Sequence, residues 1–166
     1  ELWNLTLAGV ITGAITLSED SGTLYAVAVS GSTPTIYAID SATGSKKWEV
    51  VAGSATGVNR YRRRRLKTGI SLSRPHGEML YVGGLKRLLV LNATNGSVAW
   101  DWDFTCVHAP AVSRDGQILY MGHSESREVI ALNTSSREKI WQYRTPWSDA
   151  SLIVGAPVVS ADGQTV

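Results

Sequence analysis

Four of the five asparagines stand in Asn-x-Ser/Thr triplets: Asn4-Leu5-Thr6, Asn92-Ala93-Thr94, Asn95-Gly96-Ser97 and Asn133-Thr134-Ser135. Composition alone would give about one such triplet, since Ser and Thr make up 32 of 166 residues. The excess points to N-glycosylation acceptors and to a secreted or lumenal chain. A plainer account competes. Asn92, Asn95 and Asn133 fall in one recurring type of turn, where Asn and Ser are favoured for backbone reasons. Asn92 and Asn95 are also too close for easy double occupancy.

A second feature is charge. Arg60, Arg62, Arg63, Arg64, Arg65 and Lys67 lie within eight positions. Without those six, 10 basic residues face 14 acidic ones, so the net charge of +2 comes from one segment. Such a run reads as a solvated loop, a seat for an anionic partner such as a sulfated or uronic glycan, or a processing-protease target. Nucleic acid is disfavoured, because Tyr61 alone makes no stacking platform.

Groups that could do acid-base, metal or nucleophilic chemistry are scattered. His76, His108 and His123 show no metal-ligand spacing. Asp101 and Asp103 flank Trp102 on one strand face, and Glu19 and Asp20 share a turn; both pairs read as solvated carboxylates. Cys106 is the only cysteine, so no intramolecular disulfide exists, and it reads as a small core residue. The sequence contains no Gly-x-Ser-x-Gly, phosphate loop or dinucleotide fingerprint. No apolar run approaches the ~20 residues of a membrane helix. Residue 1 is Glu and no secretory signal is visible, so a mature form or a piece of a longer protein is expected.

What must position these groups is a repeat. A turn followed by an apolar pair occurs at Ser21–Tyr25, His76–Tyr81 and Asp115–Tyr120. An alternating strand, a turn and a Trp follow each time: Tyr37–Asp40 to Trp48, Leu89–Asn92 to Trp100, Ile130–Asn133 to Trp141. The step from Asp or Asn to Trp is always eight residues, and successive Trp lie 52 and 41 apart. Trp3 ends an earlier copy, and Asp162-Gly163-Gln164 opens a later one. The segments are short, rich in Val, Ile, Leu, Tyr and Trp, and alternate with period 2, which predicts strands. In the clearest copy these span 109–113, 117–122, 127–132 and 138–144. Four strands per ~40–45 residues is the period of a β-propeller blade.

The segment Ala38-Ile39-Asp40-Ser41-Ala42-Thr43-Gly44-Ser45-Lys46-Lys47-Trp48 resembles the tryptophan-docking motif of quinoprotein alcohol dehydrogenase-like propellers, Ala-x-Asp-x-x-x-Gly-x-x-x-Trp. Residues 90–100 keep Gly96 and Trp100, with Val90 and Asn92 replacing Ala and Asp. Residues 131–141 keep Ala131 and Trp141, with Asn133 and Arg137 replacing Asp and Gly. The resemblance implies an all-β fold in which Trp48, Trp100 and Trp141 pack on neighbouring blades. It divides the chain into a last strand of a preceding blade (1–8), blades at 9–52, 68–105 and 106–145, a basic inter-blade loop (53–67), and a linker with a first strand of a further blade (146–166).

Family rings have seven or eight blades, so three complete blades imply a fragment, a ring completed by several copies, or head-to-tail assembly. Function is expected to be a noncatalytic extracellular or lumenal scaffold that binds proteins or itself through open blade edges. A bacterial periplasmic setting is the alternative. The resemblance also implies a second reading, a fragment of a PQQ-type oxidoreductase whose PQQ and calcium are held elsewhere; no cofactor is expected on these residues. A third is a polyanion-binding module built on Arg60–Lys67.

Overall fold

The structure is a computed structural model that describes residues 2–53, 68–73, 78–83, 87–104, 108–123, 126–144, 146, 155–160 and 165–166. The basic run 60–67, His76 and Cys106 lie outside the described residues. Among those described there is no helix, and hence none that could cross a membrane.

The first blade contains β1 (Val10–Ile11), β2 (Thr16–Leu17), β3 (Thr23–Ser30), β4 (Thr33–Asp40) and β5 (Lys46–Val51). The second contains β6 (Gly69–Leu72), β7 (Met79–Gly83), β8 (Leu88–Asn92) and β9 (Val98–Trp102). The third contains β10 (Ala111–Val112), β11 (Ile118–His123), β12 (Glu128–Asn133) and β13 (Lys139–Arg144). Each is an antiparallel meander in chain order, as alternating residues and tight turns dictate. The first blade departs from four strands because its inner strand is broken: β1 and β2 both pair with β3. The break contains Gly13, which the backbone of Thr68 approaches too closely for any side chain, and Thr12 Oγ1 meets Thr68 Oγ1 at 2.6 Å. The chain leaves its ladder there to touch the second blade.

Inner strands stand side by side, β6 against β2 and β10 against β6. One serine-anchored turn joins the first two strands of every blade. Thr23 N–H donates to Ser18 Oγ at 2.8 Å, Met79 N–H to Ser73 Oγ at 2.9 Å and Ile118 N–H to Ser113 Oγ at 2.9 Å. The same bond recurs further on, with Thr165 N–H donating to Ser160 Oγ at 3.0 Å. Residues 156–160 share a groove with 109–112, beside β10.

The cores lie between blades, not within one. Tyr25, Val27 and Ile36 of the first blade pack with Leu80, Val82 and Leu91 of the second. Tyr81, Leu88 and Val90 of the second pack with Leu119, Met121 and Ile130 of the third. On the other side of the first blade, Trp3, Leu5 and Leu7 cover Ala28, Tyr37 and Ile39. Because every sheet has two apolar faces, a single blade could not bury its own surface.

Candidate interaction site at the blade seams

The repeated motif builds one device three times. Asp40 Oδ1 accepts the N–H of Ala42 at 3.1 Å and of Thr43 at 2.9 Å. Asn92 Oδ1 accepts from Thr94 at 2.9 Å and Asn95 at 3.2 Å. Asn133 Oδ1 accepts from Ser135 at 2.9 Å and Ser136 at 2.8 Å. Asp and Asn are interchangeable here because only an acceptor oxygen is required. The turn closes with a left-handed residue, Gly44 at φ +72, Gly96 at φ +74 or Arg137 at φ +61. Its N–H returns to the Asp or Asn carbonyl at 2.9 Å in each case. A bulge then sets the Trp opposite the motif's first residue, giving the pairs Ala38–Trp48, Val90–Trp100 and Ala131–Trp141.

Trp3, Trp48 and Trp100 each reach the turn of the blade that follows. The Trp3 indole lies on Gly44, where a Cβ would come within 2.6 Å of Cδ2, and its N–H donates to Ser41 O at 2.9 Å. The Trp48 indole lies on Gly96 in the same way and donates to Ala93 O at 3.1 Å. Trp100 meets Arg137 instead, with the guanidinium carbon 5.4 Å from the ring centroid. Within each blade a tyrosine backs the indole: Tyr25 at 6.0 Å from Trp48, Tyr81 at 6.5 Å from Trp100, Tyr120 at 6.0 Å from Trp141. Burial raises the hydroxyl pKa of Tyr25 and Tyr81. Tyr25 Oη also donates to Ala93 O at 3.2 Å. The Leu-Tyr repeat is visible in sequence, but this role of its tyrosine was not legible there.

Trp141 is 40% exposed and Tyr143 58%, and every residue of β13 is exposed. In β5 and β9 the equivalent positions, Trp48 with Val50 and Trp100 with Trp102, pack into the seams.

Turn carboxylates ring one end of the seams. Ser18 Oγ and the Gly22 N–H hold the Asp20 pKa below the usual carboxylate range, and Ser113 with the Gln117 N–H does so for Asp115. For Asp40 the Thr43 N–H and hydroxyl are the main cause. Lys47 Nζ crosses to Gly22 O at 3.0 Å and lies 3.6 Å from Asp40. At the opposite end Arg87 clamps two blades: Nη1 donates to Asp101 at 2.8 Å and Nη2 to Ala52 O at 2.7 Å. Asp101 is therefore paired rather than simply solvated, as its sequence context suggested, and nothing in the sequence marked Arg87.

The remaining sites fall apart from one another. Asn4 and Asn95 are exposed, while Asn92 and Asn133 are half-buried in their turns. His123 Nδ1 accepts the Ser126 N–H at 3.0 Å, and its ring packs edge-on to Phe104 at 4.7 Å. His108 is half-buried ahead of β10. Among the described residues no three His, Cys, Asp or Glu side chains gather to hold a metal.

The family described as outer membrane protein assembly factor BamB matches residues 60–166. No curated protein matches the chain. Among solved structures, BamB from Moraxella catarrhalis superposes with a TM-score of 0.65 at 20% identity, over 86% of this chain and 39% of that one. Kuenenia stuttgartiensis hydrazine synthase gives 0.69 at 20% identity, over 95% and 41%. The WD40 repeats of RRP9 give 0.64 at 16% identity, over 87% and 41%. The chain thus spans about two fifths of each of these structures, and their shared architecture is the β-propeller. Three linked blades of propeller type, together with the match over residues 60–166, place this chain in the PQQ-like repeat family described as outer membrane protein assembly factor BamB.

Proposed function

We propose that the chain is part of a noncatalytic β-propeller scaffold that joins other proteins, with the Trp141–Tyr143 strip of its third blade taken up by a following blade, a second copy or a partner. The observation that carries this reading is Trp141. Its equivalents Trp48 and Trp100 are packed in seams, whereas Trp141 and Tyr143 present an apolar strip to solvent. An indole with a free face and a donor edge is a strong anchor for a partner surface. β13 is also an edge strand, open to pairing with another chain. The family's description as an assembly factor supports a role in holding proteins together. Its reference to the outer membrane favours the periplasmic setting over the extracellular one.

Sedimentation of the chain over a range of concentrations tests the self-association arm, and pull-down with purified extracytoplasmic proteins tests the other. Association that Trp141→Ser abolishes supports the reading. A monomer that retains partners equally with Trp141→Ser overturns it.

The enzymatic alternative needs a quinone pocket and a carboxylate-held calcium. That reading places both groups outside this chain, and among the described residues no three His, Cys, Asp or Glu side chains gather to hold the calcium. An anionic-glycan partner rests on the basic run 60–67 alone. Salt-sensitive retention on heparin, lost when those arginines become Ser, is its test.

A further inference from the structure

Asn95-Gly96 is the single Asn-Gly pair in the sequence, and it sits in the seam between the first two blades. Asn followed by Gly is the pair in which the next backbone nitrogen reaches the side-chain carbonyl with least obstruction. We propose that Asn95 is a spontaneous modification site whose chemistry is held off by the docking of Trp48, so that its rate of conversion reports the fraction of time this seam is open.

The reaction is an intramolecular substitution. The Gly96 backbone nitrogen attacks Asn95 Cγ, the N–Cγ bond forms, and the Cγ–Nδ2 bond breaks. The proton lost from Gly96 N leaves with Nδ2 as ammonia. Water then opens the five-membered imide at either carbonyl, giving aspartate or isoaspartate. No oxidant or cofactor is needed.

The docked turn blocks each requirement. The Gly96 N–H points at Asn92 O, 2.9 Å from the nitrogen, so Asn95 Cγ would have to enter the space that this hydrogen bond fills. Asn95 Oδ1 is held by the Ser97 N–H at 2.9 Å, and the Asn95 N–H donates to Asn92 Oδ1 at 3.2 Å. Gly96 cannot shift away, because the indole lies on it. A carbon added there would be 2.7 Å from Trp48 Cε3 and 3.0 Å from Val50 Cγ2. Asn95 itself is exposed, so water is at hand once the turn opens. Other asparagines of the same turns react more slowly, since the side chains of Ala93 after Asn92 and Thr134 after Asn133 obstruct the attack.

The isoaspartate product inserts a methylene into the main chain between residues 95 and 96. The turn then cannot return its Gly96 N–H to Asn92 O, and the seat of Trp48 is lost. Through the isoaspartate product, conversion is one-way for the seam as well as for the residue.

The test uses unglycosylated full-length chain in warm, mildly alkaline buffer. Peptide mass spectrometry reads the gain of about 1 Da at Asn95, and isoaspartyl methyltransferase labelling reads the isoaspartate. Folded wild type is expected to convert about tenfold or more slowly than the same chain unfolded in urea. Folded Trp48→Phe, which keeps a ring but loses the indole bond, is expected to fall between them. Equal rates in folded and unfolded wild type overturn the proposal. So does earlier conversion at Asn92 or Asn133 in the folded chain, or a Trp48→Phe rate equal to that of folded wild type.

Discussion

Trp48 donates its indole N–H to the carbonyl oxygen of Ala93 at 3.1 Å, across the boundary between the first and second blades. That oxygen belongs to the turn whose Gly96 lies under the indole. One side chain thus both covers the neighbouring turn and satisfies one of its carbonyls. Trp48→Phe should keep most of the covered area and lose the hydrogen bond, costing about 1 kcal/mol. Trp48→Ala also opens a void and should cost about 3 kcal/mol, the low end of the range for an aromatic side chain, because the indole is half-buried. Trp141→Ala, at a ring 40% exposed, should cost under about 1 kcal/mol in this chain. Urea unfolding midpoints compare all three. If Trp141→Ala proves as damaging as Trp48→Ala, the seam is not what makes Trp48 matter.

The left-handed turn position gives a second contrast. Gly96→Ala meets both an unfavourable backbone conformation at φ +74 and the Trp48 ring. Gly31→Ala meets a similar backbone at φ +62 with nothing within 4 Å. Gly31→Ala should therefore cost only the backbone term, about 1–2 kcal/mol, and Gly96→Ala clearly more. Arg137→Gly should be close to neutral. It relieves the same strain at φ +61 but gives up an exposed cation–π contact with Trp100, worth about 0.5–1 kcal/mol. Thermal melts of the three variants rank them. An equal loss for Gly31→Ala and Gly96→Ala contradicts docking on Gly96.

Much of this was legible in the sequence, for a physical reason. An eight-residue step from Asp40, Asn92 or Asn133 to a Trp is a local constraint, set by one turn and one bulge, and local constraints leave spacing behind. Thus the strands expected at 117–122, 127–132 and 138–144 are found at 118–123, 128–133 and 139–144. The Arg87 clamp was not legible. Its partners, Asp101 and Ala52, are 14 and 35 residues away and come together only when two blades stack. The broken inner strand of the first blade has the same origin, since Gly13 yields to Thr68 from the next blade. Among the candidate sites, Asn92 and Asn133 fit both a sequon and a turn in one dimension. Only the bonds of Oδ1 show what they do in the fold.

The turn carboxylates predict an acid transition. Asp20, Asp40 and Asp115 all sit below the ordinary aspartate value of 3.8 because they accept turn hydrogen bonds. A folded-state pKa below the unfolded one means the stabilisation is fully present above about pH 4. It is lost as pH falls through the lower folded values. Unfolding midpoints should be flat from neutrality to about pH 5 and drop below about pH 4. Asp40→Asn should keep the turn, as Asn92 does in the next blade, and should make the acid drop shallower. An unchanged pH profile in Asp40→Asn would rule out that carboxylate as a contributor.

The asparagine turns separate a folding role from a glycan role. Asn92→Ala removes an acceptor for two backbone N–H groups and should cost about 1 kcal/mol. Asn92→Asp destroys the sequon equally but keeps the acceptor, as Asp40 does in its own turn, and should be nearly neutral. Asn95→Ala loses one exposed bond to the Ser97 N–H and should cost about 0.5 kcal/mol or less. Chemical denaturation of unglycosylated chain measures all three without interference from sugar. A loss in Asn92→Ala that Asn92→Asp restores assigns the residue to the turn. Similar behaviour of the two variants would mean the Oδ1 bonds contribute little, leaving the triplet to be explained by modification.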